Sequence, residues 1–152
     1  MTEETQKEVL DTLYHRPPYL QIESYEQIEG ETITVKKTLW PDTFYFKGHF
    51  PGAPVVPGAM MCEMIFQTSC LLLTKLHPED EKKGMAIGVL TKIREAKFRS
   101  FLRPHDKITI KVKVVSKVGD HFQMEGQISK DDKTIALVKF NCSNIESSSL
   151  LH

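Results

Sequence analysis

The chain has 152 residues, 40% of them hydrophobic and 26% charged, and its formal net charge is zero. This length favours one domain, and the composition is typical of a soluble globular protein. A neutral chain gives no global electrostatic reason to expect nucleic acid or a membrane surface as a partner. The three cysteines, Cys62, Cys70 and Cys142, lie in apolar runs without zinc-like spacing. We therefore expect buried, reduced thiols, no metal site and a cytoplasmic protein.

The first elements are predicted from apolar spacing and from the residues that end each run. Residues 3–14 carry apolar side chains at helical spacing, and the sequence His15-Arg16-Pro17-Pro18 ends that helix. Residues 20–28 and 31–40 have the composition of two strands that are separated by Glu29-Gly30. The acidic N-terminus lacks the apolar segment of a secretory signal.

Residues 58–76 form the longest apolar stretch, although Glu63, Gln67 and Lys75 interrupt it. A membrane-spanning helix needs about 20 residues with few charges. These interruptions, and the proline-rich loop before the stretch, argue against a membrane span. We predict instead a core helix that is apolar on nearly all sides and has to be wrapped on most of them.

Four strands are predicted after a charged break at residues 77–84. They cover residues 85–93, 108–118, 121–129 and 134–142, and the last three alternate apolar with polar residues. Gly119-Asp120 and residues 130–133 are suited to hairpin turns.

These elements predict an α+β fold in one domain of residues 1–152. A curved antiparallel sheet that ends in a meander would enclose the long helix. The tail from about residue 144 to residue 152 is expected to be flexible.

The stretch HFPGAPVVPGAMMCE (49–63) joins a proline-stiffened loop to the start of the long helix. Pro57 suits the first helical position, because its missing N–H would be unbonded there. Gly58 has no side chain to block the free amides that follow, and such amides can polarise a carbonyl. A loop histidine such as His49 is usually a surface residue, and a tight loop-to-helix junction explains Gly58 equally well.

Glu63 is a carboxylate in an otherwise apolar helix, and it shares one helical face with Gln67 and Thr74. The simpler interpretation is a carboxylate that is hydrogen-bonded or faces solvent. If a base, an acid and an amide donor converged on one cleft, they would suit proton abstraction beside a carbonyl with loss of a nearby hydroxyl. The residue types and spacing leave both interpretations open.

The stretch GHFPGAPVVPGAMMCEMIFQ (48–67) resembles the signature of the β-hydroxyacyl-(acyl-carrier-protein) dehydratases of type II fatty acid synthesis. Their pattern is Gly-His-Phe-Pro, two residues, Pro, two residues, Pro-Gly and a helix with a glutamate and then a glutamine. LYHRPPYLQIE (13–23) and EAKFRSFLRPHDKITI (95–110) are similar to two further family segments. The resemblance covers about residues 13–142 and implies the hotdog fold, in which a sheet wraps a long helix.

The resemblance also implies roles for individual residues. His49 would be the base that takes the α-proton, and Glu63 would help to expel the hydroxyl as water. The Gly58 amide would polarise the thioester carbonyl. The carbonyl of Val55 would orient the His49 ring, and Gln67 would support Glu63.

Phe50, Met60 and Met61 would line an acyl tunnel, although methionine is more often simple core filler. The resemblance implies no metal and no cofactor, since this elimination needs only proton transfer and carbonyl polarisation. It implies an acyl carrier protein as the partner that presents the substrate. It also implies a homodimer in which His49 of one subunit faces Glu63 of the other, and a trimer of such dimers as the larger assembly.

Residues 92–107 contain six basic and two acidic residues. Lys97 and Arg99 within this segment are expected to dock the acidic carrier protein, and the alternative is an ordinary solvated strand edge.

The sequence departs from the family pattern at three places, one of which is Cys62 beside the glutamate, a residue with no catalytic role in the family that we expect to serve packing. The residues after the glutamate, Met64, Ile65 and Phe66, are bulky where the family has small ones, which leaves acyl chain length open. The family's Pro-Gly-Asp turn is Pro104-His105-Asp106 here, and histidine tolerates the left-handed backbone better than most residues.

Two other functions stay open at this point. A hotdog acyl-thioesterase would hydrolyse the thioester with a carboxylate and water, and His49 argues against it. A non-catalytic acyl-binding subunit would keep the fold alone, and the presence of His49, Gly58 and Glu63 together argues against it.

Overall fold

The computed structural model describes residues 3–82 and 87–150. Within them one six-stranded sheet has the order β1-β2-β4-β5-β6-β3, and all neighbouring strands are antiparallel. The first residues of the predicted strand 85–93 lie outside the described residues. In chain order the elements are α1 (Glu3–Thr12), β1 (Gln27–Glu29), β2 (Thr32–Thr38), α2 (Gly58–Leu76), α3 (Pro78–Lys82), β3 (Ile87–Phe98), β4 (Lys107–Val118), β5 (His121–Lys130), β6 (Lys133–Ile145) and a 3-10 helix (Ser147–Leu150).

The sheet forms where the sequence alternates apolar and polar residues. Every second side chain of β4 is buried from Ile108 to Val114, as the alternation predicted. Two-residue turns join β4 to β5 and β5 to β6. Gly119 has a φ of 59°, and Asp131 and Asp132 have φ values of 50° and 59°. In the β5–β6 turn both central residues have positive φ, and in the β4–β5 turn only the first, Gly119, does. Both are turn geometries that match the twist of paired strands, so the predicted hairpins are confirmed.

The long helix α2 lies across one face of the sheet and contacts β2, β3, β4, β5 and β6. Its bounds, Gly58–Leu76, are those predicted from the apolar run. By length and composition α2 could cross a membrane, but 56% of its most apolar window is buried inside the protein. The helix therefore forms the core together with the inner face of the sheet.

Close packing of α2 on the sheet depends on one glycine. Gly126 in β5 faces Ile65 of α2, and both residues are buried. A Cβ atom at Gly126 would lie 2.3 Å from Cγ2 of Ile65, which is far inside van der Waals contact. The bulky residue that departs from the family pattern is thus accommodated by a missing side chain on the facing strand.

The first predicted strand, residues 20–28, is largely wrong, because only Gln27–Glu29 forms a strand. The backbone N–H of Gln21 donates instead to the Oε1 of Gln67 on α2, at 2.7 Å. Ile22 is fully buried. A tertiary hydrogen bond to a buried side chain has therefore replaced the strand pairing that the local composition favoured.

The predicted meander is correct for β4, β5 and β6 but wrong for β3, which pairs with β6 at the far side of the sheet. β3 is also longer than predicted and continues to Phe98. Its other edge has no strand partner among the described residues. β6 extends to Ile145, and Asn144 is buried, so regular structure continues farther into the tail than predicted.

Candidate active site

The loop before α2 fixes the orientation of the His49 ring. The Nδ1 atom of His49 lies 2.9 Å from the carbonyl oxygen of Val55, and the N–H of Val55 donates to the carbonyl of His49 at 2.8 Å. The ring also stacks on Phe50, with 4.2 Å between ring centroids. Since Nδ1 faces an acceptor, it carries the proton, and Nε2 keeps its lone pair.

The N-terminus of α2 presents unbonded amides next to this loop. Pro57 is the N-cap residue rather than the first helical residue as predicted, and its carbonyl accepts from the N–H groups of Met60 and Met61 at 2.9 and 3.1 Å. The N–H of Gly58 has no acceptor among the described residues. A Cβ at Gly58 would lie 3.4 Å from the ring of Phe98, so glycine keeps this amide accessible beneath that ring.

A cavity of about 390 Å³ joins these groups. His49, Phe50, Val55, Gly58 and Met61 all line it, and the end of β3 with the residues that follow closes the other side. Met60 does not line this cavity and packs against the core instead. The remaining lining residues are Val56, Phe98, Arg99, Ser100 and Phe101.

Glu63 is held by a neighbouring amide on the same helical face. The Nε2 of Gln67 donates to Oε1 of Glu63 at 2.9 Å and to the carbonyl of Tyr19 at 3.0 Å, while Oε1 of Gln67 accepts from the N–H of Gln21. Gln67 is fully buried, and the Glu63 side chain is 17% exposed. Three hydrogen bonds therefore fix the orientation of the Gln67 amide, which in turn orients the Glu63 carboxylate.

A second cavity, of about 240 Å³, surrounds Glu63 and Gln67. Its surroundings are apolar enough to keep thiols protonated, since burial raises the pKa of Cys70 and of Cys142 to about 12. Burial also raises the pKa of Cys62, as does the charge of Glu63, which supports the packing role expected for these cysteines. The other lining residues are His15, Tyr19, Phe66, Ser69, Gly88, Val89, Leu90 and Phe140.

Within one protomer the predicted site residues thus form two groups. His49, Val55 and Gly58 share the first cavity, and Glu63 and Gln67 share the second. No described residue lines both. His15 and Tyr19, which lie beside Glu63, were not predicted as site residues. The segment that contains them was recognised only as a helix end and as part of the resemblance.

The two expected docking residues differ in their surroundings. Lys97 pairs with Glu95 at 2.9 Å, and Lys139 approaches the same carboxylate at 3.7 Å. Arg99 lines the cavity that contains His49, and its guanidinium has no ion-pair partner among the described residues. Arg99 is therefore the stronger local source of positive potential at this cavity.

A six-stranded antiparallel sheet in this order, wrapped around one long helix, defines the hotdog fold. The chain matches the FabA-like domain family over residues 13–139, and it belongs to that family. The resemblance drawn from residues 48–67 is thereby confirmed.

Individual relatives and a solved structure agree with this placement. The chain is 34% identical to the 3-hydroxyacyl-(acyl-carrier-protein) dehydratase FabZ of Anaeromyxobacter sp. (strain Fw109-5), over 84% of this chain and 82% of that one. A protein of the same name from Chlamydia pneumoniae is 32% identical, over 93% and 94% of the two chains. The dehydratase heterocomplex ApeI:P from Xenorhabdus doucetiae matches the fold with a TM-score of 0.77 over 94% of both chains, at 17% identity.

Proposed function

We propose that this protein is a (3R)-hydroxyacyl-(acyl-carrier-protein) dehydratase, which removes water from a 3-hydroxyacyl thioester to give the trans-2-enoyl thioester. The observation that carries this proposal is the shared cavity of His49 and the unbonded Gly58 amide, in a chain of the FabA-like family. Elimination beside a thioester needs a base and a group that polarises the carbonyl. These two residues supply both.

The tautomer of His49 decides which atom acts as the base. Because Nδ1 donates to the Val55 carbonyl, the lone pair of Nε2 takes the α-proton. The electron pair of the broken C–H bond forms the new double bond as the C–O bond of the hydroxyl breaks. Glu63 gives its proton to the departing hydroxyl, which leaves as water. The Gly58 N–H stabilises the negative charge that develops on the carbonyl oxygen.

In this proposal, the Glu63 that contacts the substrate at a His49 cavity belongs to a second copy of the chain. The free edge of β3 offers the surface for that pairing, since it carries the exposed apolar residues Leu90, Ile93 and Phe98. A two-fold interface along this edge makes two equivalent sites per dimer. Each site then holds His49 and Gly58 from one subunit and Glu63 with Gln67 from the other, and three such dimers make the hexamer.

The substrate in this proposal arrives on an acyl carrier protein in the cytoplasm, in fatty acid biosynthesis or a related acyl pathway. Carrier proteins of this kind are acidic, and Arg99 stands at the cavity that contains His49. Lys97 adds positive charge on the same strand end. Phe50 and Met61 line the cavity and are placed to contact the thioester arm or the acyl chain.

The reverse reaction provides the test, because a dehydratase must also hydrate its product. The purified protein is incubated with trans-2-enoyl thioesters of increasing chain length, and the ultraviolet absorbance of the conjugated thioester is followed. Loss of absorbance without release of free thiol is the expected result. Thiol release would instead indicate hydrolysis, and saturable binding without either change would indicate an acyl-binding subunit. Both of these outcomes would overturn the proposal.

A further inference from the structure

The segment after α1 brings a histidine to the candidate acid. The Nε2 of His15 lies 4.0 Å from Oε1 of Glu63, and the His15 side chain is 29% exposed. Tyr19 lies beside both, with its ring stacked on His15 at 6.1 Å between centroids. Burial raises the pKa of Tyr19, and the negative charge of Glu63 raises it further. Glu63 therefore acts electrostatically on this segment.

The His15 ring is held in place by its backbone rather than by its own hydrogen bonds. The guanidinium of Arg16 donates to the carbonyls of Leu13 and His15, at 2.6 and 2.8 Å. On the other side, Gln67 binds the carbonyl of Tyr19 and the N–H of Gln21. The segment is thus anchored both before and after the histidine.

The Nδ1 atom of His15 is buried and has no hydrogen-bond partner among the described residues. Buried polar atoms in folded proteins are normally hydrogen-bonded, so an imidazole placed in this way lowers stability. A residue that served packing alone would need no ring nitrogen here. The other nitrogen, Nε2, faces the Glu63 carboxylate, which indicates that the histidine serves that carboxylate.

We propose that His15 is a positioning residue for Glu63. In the tautomer with the proton on Nε2, the N–H faces the carboxylate and, with Gln67, fixes its orientation. The donor stabilises the carboxylate that remains after Glu63 has given its proton to the departing hydroxyl. The distance of 4.0 Å is longer than a hydrogen bond, and the proposed role requires it to shorten when substrate binds, as contacts of catalytic groups commonly do. This inference rests on the proposed function.

Few other titratable groups face Glu63 in the part of the chain that the structure describes. Cys62 and Cys70 on α2 and Cys142 on β6 are thiols whose pKa is raised by burial, so they stay uncharged. The described part of β3 at this cavity contributes Gly88, Val89 and Leu90, which carry no charge. Among the described residues, His15 and Tyr19 are therefore the other titratable groups of the same chain that lie beside Glu63, and His49 of the partner subunit joins them in the proposed dimer.

The variants separate the ring nitrogen from the bulk of the ring. His15→Phe keeps an aromatic ring against Tyr19 but removes both nitrogens, and His15→Gln places an amide donor near the position of Nε2. Tyr19→Phe removes the hydroxyl alone, and His121→Phe, at an exposed hairpin position, is the matched control. Each full-length variant is assayed for hydration of the enoyl thioester across pH.

We expect His15→Phe to lower kcat on the order of ten- to a hundredfold, the loss seen when hydrogen-bond partners that orient metal ligands are removed, with little change in KM. Its pH–rate profile should move to higher pH, because the carboxylate has lost a donor. His15→Gln should recover most of kcat, and His121→Phe should match the wild type. An unchanged kcat and pH profile in His15→Phe, or a His15→Gln variant as slow as His15→Phe, would overturn the role.

A second measurement does not depend on activity. The protein is labelled with ¹³C at the glutamate carboxyl groups, Glu63 is assigned through Glu63→Gln, and its NMR signal is titrated in wild type and His15→Phe. A titration that moves to higher pH in the variant supports the role of His15, and an unchanged titration contradicts it. If the wild type lacks dehydratase activity but the titration moves, the proposed function fails while the contact between His15 and Glu63 stands.

Discussion

His49 and Glu63 are 14 positions apart in the chain, yet they line two cavities of one protomer that share no lining residue within ranges 3–82 and 87–150. His49 lies in the loop before α2, and Glu63 lies on a helical face that is directed toward His15 and Tyr19. A substrate bound at the His49 cavity of an isolated protomer would therefore not contact Glu63. This separation supports the proposal that the site is shared between two chains.

Mixing two inactive variants tests the shared site. His49→Ala and Glu63→Gln chains that pair at random give hybrids in half of the dimers, and each hybrid has one site with both defects and one with neither. Co-expression of the two should restore about a quarter of wild-type activity, because a two-fold interface makes two sites per dimer. Differently tagged chains allow the hybrid to be purified and counted. Activity of the purified hybrid no greater than that of either variant alone would contradict a site shared between chains.

The two single variants test the acid and the base directly. His49→Ala and Glu63→Gln should each lower kcat by about 10²- to 10⁴-fold, the usual contribution of a general acid or base. Glu63→Gln is nearly isosteric, so a cavity cannot account for its loss. His121→Ala and Glu29→Gln make the same chemical changes at exposed positions and should keep full activity. Circular dichroism and thermal melting check the fold, and near-wild-type rates in either site variant would remove that residue from the mechanism.

Charge reversal tests docking of the carrier protein. Arg99→Glu should raise KM for substrates on acyl carrier protein and weaken the salt dependence of the rate, since surface electrostatics is screened by salt. Lys97→Glu should have the smaller effect, because Glu95 already pairs with Lys97. Lys7→Glu, on the exposed face of α1, controls for net charge. Short thioesters without a carrier protein should be affected less, and an equal rise in KM for both substrates would argue against a docking surface.

Asp106, in the turn before β4, gives a prediction of how the stability of the protein changes with pH. Burial acts to raise the pKa of Asp106, but hydrogen bonds from Lys130 and from the N–H of Arg103 outweigh it and hold this pKa below its usual value. A lowered pKa in the folded state stabilises the protein above the unfolded value of about 3.9, and the gain is lost as pH falls through the folded value.

Asp106→Asn should therefore lower the melting temperature at pH 7, and its difference from wild type should shrink as pH falls below about 4. Thermal melts at a series of pH values measure this difference. Asp11→Asn, at an exposed position of α1, is the control. A difference that stayed constant from pH 7 to pH 3 would show that the Asp106 charge does not stabilise the fold.

Local signals predicted the elements whose ends are fixed by their own residues. The bounds of α2 follow from Pro57 at one end and His77-Pro78 at the other, and the hairpins follow from turn residues that adopt positive φ. His105 likewise adopts a φ of 71°, as the left-handed turn required. These features depend on sterics within a few residues, so the sequence specifies them directly.

Features that depend on distant contacts were not predictable in this way. β3 pairs with β6 and not with β4, the next strand in the chain. The alternation of apolar and polar residues along a strand carries no information about which strand it pairs with. The backbone around Gln21 is not paired in a strand, and its N–H donates instead to the side chain of Gln67, 46 positions away in the chain. For the candidate site, the motif predicted which residues take part, but only the three-dimensional fold places His49 and Glu63 at separate cavities and brings His15 to Glu63.

The contact between Ile65 and Gly126 gives a test of core packing. Gly126→Ala places a Cβ 2.3 Å from Cγ2 of Ile65, so α2 or β5 must shift. Overpacking of this kind costs about 1–3 kcal/mol. Ile65→Ala alone should cost about 2–5 kcal/mol, because it leaves a cavity against the sheet.

The double variant decides whether the two residues act on each other. In the Ile65→Ala background, the methyl group of Gly126→Ala enters the space that the isoleucine has left, so the second substitution should cost nothing or restore stability. Denaturant unfolding of the wild type, both single variants and the double variant gives the coupling free energy. Gly88→Ala is the matched glycine control, since its Cβ would lie 3.2 Å from the Cys70 sulfur and should be insensitive to Ile65→Ala. Additive losses for Gly126→Ala and Ile65→Ala would show that the sheet relaxes around the new methyl group and that Gly126 is not required by the bulk of Ile65.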